Sequence, residues 1–422
     1  MKNKRLVNGL QNAALLLLTA SALFLLLHTP VLHGGWALTS PAASLTPQPI
    51  QETAGELSAM LGSVHIMVAA DSEYGRFGQL CVGEDDPLVQ QVIPLFREAL
   101  GSAAELEAAA HQDFQDALAG TAIYVDFNTQ LPLTAVAACL EESAGTDRPI
   151  RAIALAAGQM EGVSMYLLSE DGGLFRCATA LPVSAVEAIC ASVQPNGSSF
   201  AYETNYTALE PYTLLAARVS QPPELQADLP AGYNHYNLLT ALDFNAHTNF
   251  WYTDRDGAVV VEESPRTLRI GPDGTVLYSG AEPVSLPLYR VNGSGGRPAL
   301  PEVLRAAWNL ASALTSGTGA STLRLCGVEE TESGYEVHFR YQVGSVPICF
   351  PDESDALSVT ISGTGITGFA YRCRTYTPLE EAGAPLLPPA MAAAIASLHP
   401  DSGLSLAYVD AGTPQLSPCW LS

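Results

Sequence analysis

The sequence predicts an α+β protein in which an N-terminal transmembrane helix is followed by duplicated units of antiparallel sheet with packed helices. Three observations lead to this prediction. An apolar run without charges occupies residues 13–32. Apolar stretches separated by turn residues, as at Asp256-Gly257, favour antiparallel hairpins. The order strand, strand, proline-started helix occurs in both halves of the chain, which suggests a duplication.

The apolar run at residues 13–32 is long enough to cross a bilayer, because 20 helical residues span about 30 Å. Lys2, Lys4 and Arg5 precede it, and no basic residue follows before Arg76. The positive-inside rule therefore predicts a single-pass protein of the cell membrane, with a cytoplasmic N-terminus and an extracytoplasmic body. A cleaved signal peptide is the alternative interpretation.

Composition agrees with a folded, strongly acidic body. The 422 residues include 43 Asp and Glu against 19 Lys and Arg, and the net charge is −24. No basic stripe is present that could neutralise phosphates, so no nucleic-acid partner is expected.

Changes in composition suggest the domain boundaries, because a stretch rich in Pro, Ser, Thr and Ala follows the apolar run. The predicted organisation is a cytoplasmic tail (1–12), a transmembrane anchor (13–32), a linker (33–55), an N-terminal α+β domain (56–225), a middle β-rich domain (226–296) and a C-terminal α+β domain (297–422).

Helices are predicted where apolar residues recur every three to four positions. They are the stretch through Leu88, Val92, Phe96 and Leu100 after Asp85 and Asp86, the stretch 103–119, the stretch from Val183 to Val193 after Pro182, the stretch from Leu300 to Leu314, and the stretch after Pro388-Pro389 with Met391, Ile395 and Leu398 on one face.

Strands are predicted from short apolar runs bounded by turn residues. They cover 122–127, 150–156, 162–168, 174–180, hairpins turning at Asp256-Gly257 and Asp273-Gly274, and 322–328, 335–343, 356–361, 366–375 and 404–409.

The motifs of known catalytic and cofactor sites are not convincing here. Gly363-Thr-Gly365-Ile-Thr-Gly368 has the dinucleotide-binding spacing, but a strand follows it instead of a helix, which predicts a hairpin turn. The eight histidines form no i,i+4 pair and the eight cysteines no Cys-x-x-Cys, so no metal or cofactor is expected. No catalytic residue follows from spacing, and the cysteines are equally compatible with disulfides and buried thiols.

Beyond this layout, the stretch TDRDGAVVVEESPRTLRIGPDGTVLYSG at 253–280 resembles the YycH family of extracytoplasmic regulators. The stretch Tyr341–Ile348, the GITGFAY strand and the closing Pro418-Cys-Trp420 are similar to the terminal unit of the sister family YycI. The resemblance implies a non-enzymatic protein that modulates a two-component sensor histidine kinase of the cell-wall-homeostasis type. It also implies a sister regulator as a further candidate partner.

Within the anchor, the small residues Thr19, Ala20, Ser21 and Ala22 are the candidate face for contact with a partner helix, because small side chains let helices approach closely in lipid. The alternative is that they belong to the ordinary composition of an anchor. Two other functions stay open from the sequence. One is an exported module that binds peptide or glycan through the aromatic residues at 250–252, and the other is a hydrolase whose acids spacing does not identify.

Overall fold

A computed structural model of the protein describes residues 56–69, 75–158, 162–228, 238–239, 242–245, 247, 251–280, 297–315, 319–380, 383, 385–399 and 403–422. These residues form an α+β fold whose strands are mostly antiparallel, which agrees with the fold class expected from the sequence. The suggested duplication stays a prediction.

Seven α-helices lie within the described residues. They are α1 (Glu56–Ala59), α2 (Pro87–Gly101), α3 (His111–Ala119), α4 (Leu133–Cys139), α5 (Val183–Ser192), α6 (Leu300–Thr315) and α7 (Pro389–Ala396), with a 3-10 turn at Ala201–Glu203.

The first large sheet is antiparallel and has seven strands. They are β1 (Val64–Ala69), β2 (Arg76–Val82), β3 (Glu107–Ala108), β4 (Ala122–Pro132), β5 (Pro149–Ala157), β6 (Val163–Leu168) and β7 (Leu174–Ala178). Their spatial order is β2-β1-β4-β5-β6-β7-β3. Helices α3 and α5 pack on its centre, against β4 and β5.

Two small sheets follow in the chain. Their strands are β8 (Ser199–Phe200) with β9 (Leu214–Leu215), and β10 (Leu225–Asp228) between β20 (Thr375–Pro378) and β22 (Gln415–Leu416).

The second large sheet has eleven strands and begins in the middle of the chain. They are β11 (Trp251–Thr253), β12 (Val259–Glu263), β13 (Arg266–Ile270), β14 (Thr275–Gly280), β15 (Ser321–Glu330), β16 (Gly334–Val343), β17 (Val346–Cys349), β18 (Leu357–Ser362), β19 (Gly365–Arg372), β21 (Ser405–Val409) and β23 (Cys419–Leu421). The order is β11-β12-β13-β14-β19-β18-β16-β17-β21-β23, and β15 pairs with β16. Helix α6 covers β15, β16, β18 and β19.

Helix α2 shows how local sequence signals fix an element. The side chain of Asp86 accepts a hydrogen bond from the backbone N–H of Leu88 at 2.8 Å, and Pro87 occupies the first turn, where its missing N–H costs little. Leu88, Val92 and Phe96 are buried on one face, which confirms the predicted amphipathic helix.

The predicted helix at 103–119 is wrong in its first half. Helix α3 begins only at His111, and β3 pairs instead with β7. The backbone N–H groups of Ala104 and Ala109 donate to Ala178 and Leu174 at 3.0 and 2.9 Å. This stretch has good helix formers but no apolar face to bury, so pairing with the sheet edge overrides its helix propensity.

The predicted hairpins are confirmed at Asp256-Gly257 between β11 and β12 and at Asp273-Gly274 between β13 and β14. The Gly363–Gly368 segment is also a hairpin turn, closed by pairing of Ser362 with Gly365. Sequence reasoning missed β17, whose pairing with β21 is parallel.

Backbone and side-chain contacts join the two large sheets. The N–H of Leu325 donates to the carbonyl of Met60 at 2.7 Å, and the Thr129 hydroxyl donates to the carbonyl of Cys326 at 2.7 Å. Helices α4 and α6 pack against each other across the same junction. The domain boundaries predicted within 56–422 stay predictions.

The predicted transmembrane anchor at 13–32 lies outside the described residues. Of the helices that the structure does describe, none has both the length and the apolar character needed to cross a bilayer.

Candidate interaction surface

An exposed apolar row follows helix α7, with Met391 and Ile395 on the helix and Leu387 and Leu398 just before and after it. We call these four residues the outer row of α7. Met391, Ile395 and Leu398 are 54%, 53% and 75% exposed. Residues 382–398 contain no charged side chain. An apolar row that is this exposed, in an otherwise acidic chain, is typical of a surface that contacts another protein.

The opposite side of α7 explains why the large side chains point outward. Ala392, Ala393 and Ala396 are buried and pack with Leu209 and Leu404 in a small cluster separate from the main core. Alanine lets the helix lie close to its support, and the larger residues are left on the outer side.

The flanks of α7 are fixed by hydrogen bonds. The indole N–H of Trp420 donates to the carbonyl of Leu387 at 2.9 Å, and the hydroxyl of Tyr206 donates to the carbonyl of Ala390 at 3.1 Å. The outer row is thus held on a supported helix, which reduces the conformational entropy that a partner would have to remove on binding.

A second apolar feature lies on strand β11. Trp251 and Tyr252 are each more than half exposed, and the Tyr252 hydroxyl donates to Glu262 at 3.1 Å. These aromatics belong neither to a core strand nor to a deep cleft. Phe250, the third residue of the aromatic run, lies outside the described residues.

The most buried charges of the first sheet surround Arg151. Its Nη2 lies 2.9 Å from Oδ2 of Asp126, its Nε donates to Oδ1 at 3.3 Å, and its Nη1 pairs with Glu210. Burial raises the pKa of Glu210 and, together with the Asp126 charge, that of Tyr124. The carboxylates of Asp126 and Glu210 converge here, but the guanidinium of Arg151 binds both. Because Glu210 lies in the 201–215 segment, the cluster holds that segment against the sheet.

On the second sheet, His338 and Cys326 share one carboxylate. Nδ1 of His338 lies 2.7 Å from Oδ2 of Asp355, and the Cys326 thiol donates to Oδ1 at 3.5 Å. A nucleophilic triad would place the histidine between the thiol and the carboxylate, whereas here the carboxylate lies between the two. Burial raises the pKa of Cys326, which keeps it a thiol.

A third polar group is buried between the second sheet and the C-terminal strands. The Tyr376 hydroxyl donates to Oδ2 of Asp410 at 2.9 Å, and Nε of Arg374 lies 3.4 Å from the same oxygen. The N–H of Gly412 donates to Oδ1 at 2.9 Å. Every oxygen of this buried carboxylate has a partner, so the group acts as a structural tie.

No disulfide joins any of the eight cysteines in the structure, so of the two states left open by the sequence it contains buried and half-buried thiols. Burial raises the pKa of Cys81 and Cys139 to about 12. Within the described residues, no three side chains of His, Cys, Asp or Glu are placed to hold a metal ion.

The small residues predicted as an anchor face, Thr19, Ala20, Ser21 and Ala22, lie outside the described residues. Sequence reasoning placed Met391, Ile395 and Leu398 on one helix face but did not recognise that this face is exposed. The alanines on the opposite face were the available signal, because a helix with large apolar residues on one side and only alanine on the other can bury either side.

Comparisons with known proteins identify no family. No protein-family model matches the chain, and no curated protein does. Among solved structures, the chain is similar to the crystal structure of YycH from Bacillus subtilis, with a TM-score of 0.49 and 10% identity over 86% of this chain and 94% of that chain. A likeness of this size does not assign the chain to a family.

Proposed function

We propose that this chain is a membrane-anchored extracytoplasmic regulatory protein that modulates a two-component sensor histidine kinase of the cell-wall-homeostasis type. Transmembrane and ectodomain contacts carry the modulation. The observation that carries the proposal is the outer row of α7, an uncharged apolar surface on a supported helix. The apolar run at 13–32 and the resemblance of 253–280 to the YycH family support it.

The proposal is tested by purifying the full chain from membranes and measuring the amount of sensor kinase recovered with it. A variant with Met391→Gln, Ile395→Gln and Leu398→Gln is expected to recover at least tenfold less kinase. Burial of one large apolar side chain contributes about 1.5–3 kcal/mol, so the loss of three exceeds tenfold in affinity. Phosphorylation of the response regulator in cells is expected to change in the same variant.

The matched control is Trp251→Ser with Tyr252→Ser, which removes the other exposed apolar feature and leaves α7 intact. This control is expected to recover kinase at the wild-type level. A second variant lacking residues 13–32, exported through a cleaved signal, separates the anchor's contribution from that of the body. Absence of any sensor kinase from every form would contradict the proposal.

An exported peptide- or glycan-binding module is the second candidate, favoured by the exposed Trp251 and Tyr252 on strand β11. In that case the Trp251→Ser, Tyr252→Ser variant would lose binding to cell-wall fragments, and the α7 variant would retain it.

A further inference from the structure

A small cavity lined by both polar and apolar side chains lies where the first sheet meets the second. Its volume is about 30 Å³ and it is partly open to solvent. We call it the arginine cavity, and the polar side chains that line it include Ser63, Asn128, Thr129, Arg324, Arg340 and Gln342. No lining residue is acidic, although the chain contains 43 acidic residues.

The two arginines lie directly opposite each other. Arg324 on β15 and Arg340 on β16 are Cα partners in the antiparallel register, so their side chains leave the same face of the sheet. Like charges in this arrangement repel and destabilise the strand pair. A cavity between two such side chains is therefore a place where an anion would be stabilised.

Arg324 is only partly neutralised by the protein. Its Nη1 donates to the carbonyl of Ala59 at 2.6 Å, and its Nη2 pairs with Glu84 at 3.1 Å. Its Nε is buried and has no partner among the described residues. A buried donor without a partner carries a desolvation cost that a bound acceptor would remove.

Arg340 has no internal counter-ion in the described part of the chain. Its half-buried guanidinium makes no hydrogen bond or ion pair there, and its charge acts on Cys326, where it opposes the rise in the thiol pKa. The nearby carboxylate of Asp355 is engaged by His338 at 2.7 Å and by Cys326 at 3.5 Å. Glu84 thus pairs with Arg324 alone, and Arg340 has no carboxylate partner among the described residues.

The other polar groups of the cavity are already engaged. Oε1 of Gln342 accepts from the N–H of Ser63 at 3.0 Å, and its Nε2 donates to the carbonyl of Gly344 at 2.7 Å. The hydroxyl of Thr129 donates to Cys326. Among the lining residues, the Nε of Arg324 is a buried donor without a partner.

We propose that the arginine cavity binds a carboxylate group. A planar guanidinium matches the two oxygens of a carboxylate, and such charge-assisted pairs are stronger than neutral hydrogen bonds. The cavity is small and partly open to solvent, so a carboxylate head would enter it while the rest of the ligand stays outside. This site is independent of the outer row of α7 and of the kinase-regulating function proposed above.

The test measures the melting temperature of the purified full chain against increasing sodium acetate, with sodium chloride holding the ionic strength constant. A saturable rise is expected for the wild type. Arg340→Gln is expected to need at least tenfold more acetate for the same rise, and Arg255→Gln, an exposed arginine elsewhere, to behave as wild type. An equal response of the wild type and Arg340→Gln would overturn the proposal.

A second measurement, the melting temperature without acetate, tests whether Arg340→Gln is still fully folded. Without acetate, Arg340→Gln is expected to melt no lower than the wild type, because the substitution removes a repulsion and breaks no internal ion pair. A large drop in its melting temperature would mean that Arg340 has a partner within the protein, and the carboxylate site would then be rejected.

Three further probes distinguish between the possible sources of the carboxylate. Tighter binding of acetyl-Ala-Glu-Ala-amide than of acetate, with no binding of the Gln peptide, would identify an acidic protein side chain. Equal binding of acetate and the Glu peptide would identify a free small acid. A stronger response to inorganic phosphate than to acetate would overturn the assignment to a carboxylate.

Discussion

The first large sheet buries a histidine and the second half-buries one, and their environments shift the two pKa values in opposite directions. Nδ1 of His65 on β1 accepts the backbone N–H of Cys81 at 3.1 Å, whereas Nδ1 of His338 on β16 faces the Asp355 carboxylate at 2.7 Å. Burial lowers the pKa of His65, and the nearby Asp126 only partly opposes it. At His338, burial acts in the same direction, but the bond to Asp355 outweighs it and the pKa is raised.

The difference shows that a carboxylate partner can outweigh burial at a half-buried ring, whereas burial prevails at the fully buried one. The first sheet stabilises a neutral histidine and concentrates its buried charge at Arg151. In the second, half-buried Asp355 is shared by a histidine and a thiol, and buried Asp410 bonds to Tyr376 of the neighbouring small sheet. The following experiments test this contrast.

The largest effect is expected from Arg151→Met in the first sheet. Removal of the guanidinium leaves Asp126 buried without its cation, and breaking a buried pair in this way costs about 3–5 kcal/mol of unfolding free energy. Chemical denaturation measures the loss. The control Arg269→Met breaks the exposed pair with Asp254 and is expected to leave the midpoint near the wild type. Similar midpoints for both variants would contradict the role given to Arg151.

A smaller effect is expected from Tyr376→Phe, which removes a partner of Asp410 at the end of β21 in the second sheet. Asp410 loses one donor but keeps Arg374 and the N–H of Gly412, so the loss is about 1–3 kcal/mol. Tyr252→Phe, which removes an exposed hydroxyl, serves as the control and is expected to unfold as the wild type does. If Tyr376→Phe costs as much as Arg151→Met, the two sheets do not differ in how they hold buried charge.

The smallest effect is expected in the pH dependence of the unfolding free energy, to which the two histidines contribute with opposite sign. An unfolded histidine has a pKa of about 6.5. Because the pKa of His338 is raised in the folded state, this residue stabilises the fold fully below about pH 6.5. That stabilisation is lost as the pH rises through the folded pKa. Because the pKa of His65 is lowered in the folded state, this residue stabilises the fold fully above about pH 6.5. That stabilisation is lost as the pH falls towards the folded pKa.

Unfolding free energies measured from pH 5 to 8 for the wild type, His65→Gln and His338→Gln test this sign. The difference between the wild type and His338→Gln is expected to shrink as the pH rises, and that between the wild type and His65→Gln to shrink as it falls. Parallel pH profiles for the two variants would refute the contrast.

Local signals in the sequence were sufficient for many elements. The Asp256-Gly257 and Asp273-Gly274 turns, the capped helix α2 and the periodic helix α6 were all predicted, because each depends on residues close together in the chain. The predicted helix at 103–119 failed where a strand from elsewhere offered better pairing.

The candidate sites were harder to predict because they depend on register and on distant contacts. The pairing of Arg324 with Arg340 follows from a strand register that contains a bulge between Leu325 and Gly327, and no local pattern encodes it. The outward orientation of α7 likewise depends on the cluster that receives its alanines, to which Leu209 belongs.

The buried thiols of Cys81 and Cys139 have a practical consequence. With a pKa of about 12, Cys81 and Cys139 are thiolates in only about one part in ten thousand at pH 8, and their sulfur atoms are shielded from reagents. Alkylation at each site therefore proceeds only when the surrounding segment opens. Mass spectrometry of a native alkylation time course would thus report the opening rate of β2 and α4 separately, without any introduced label.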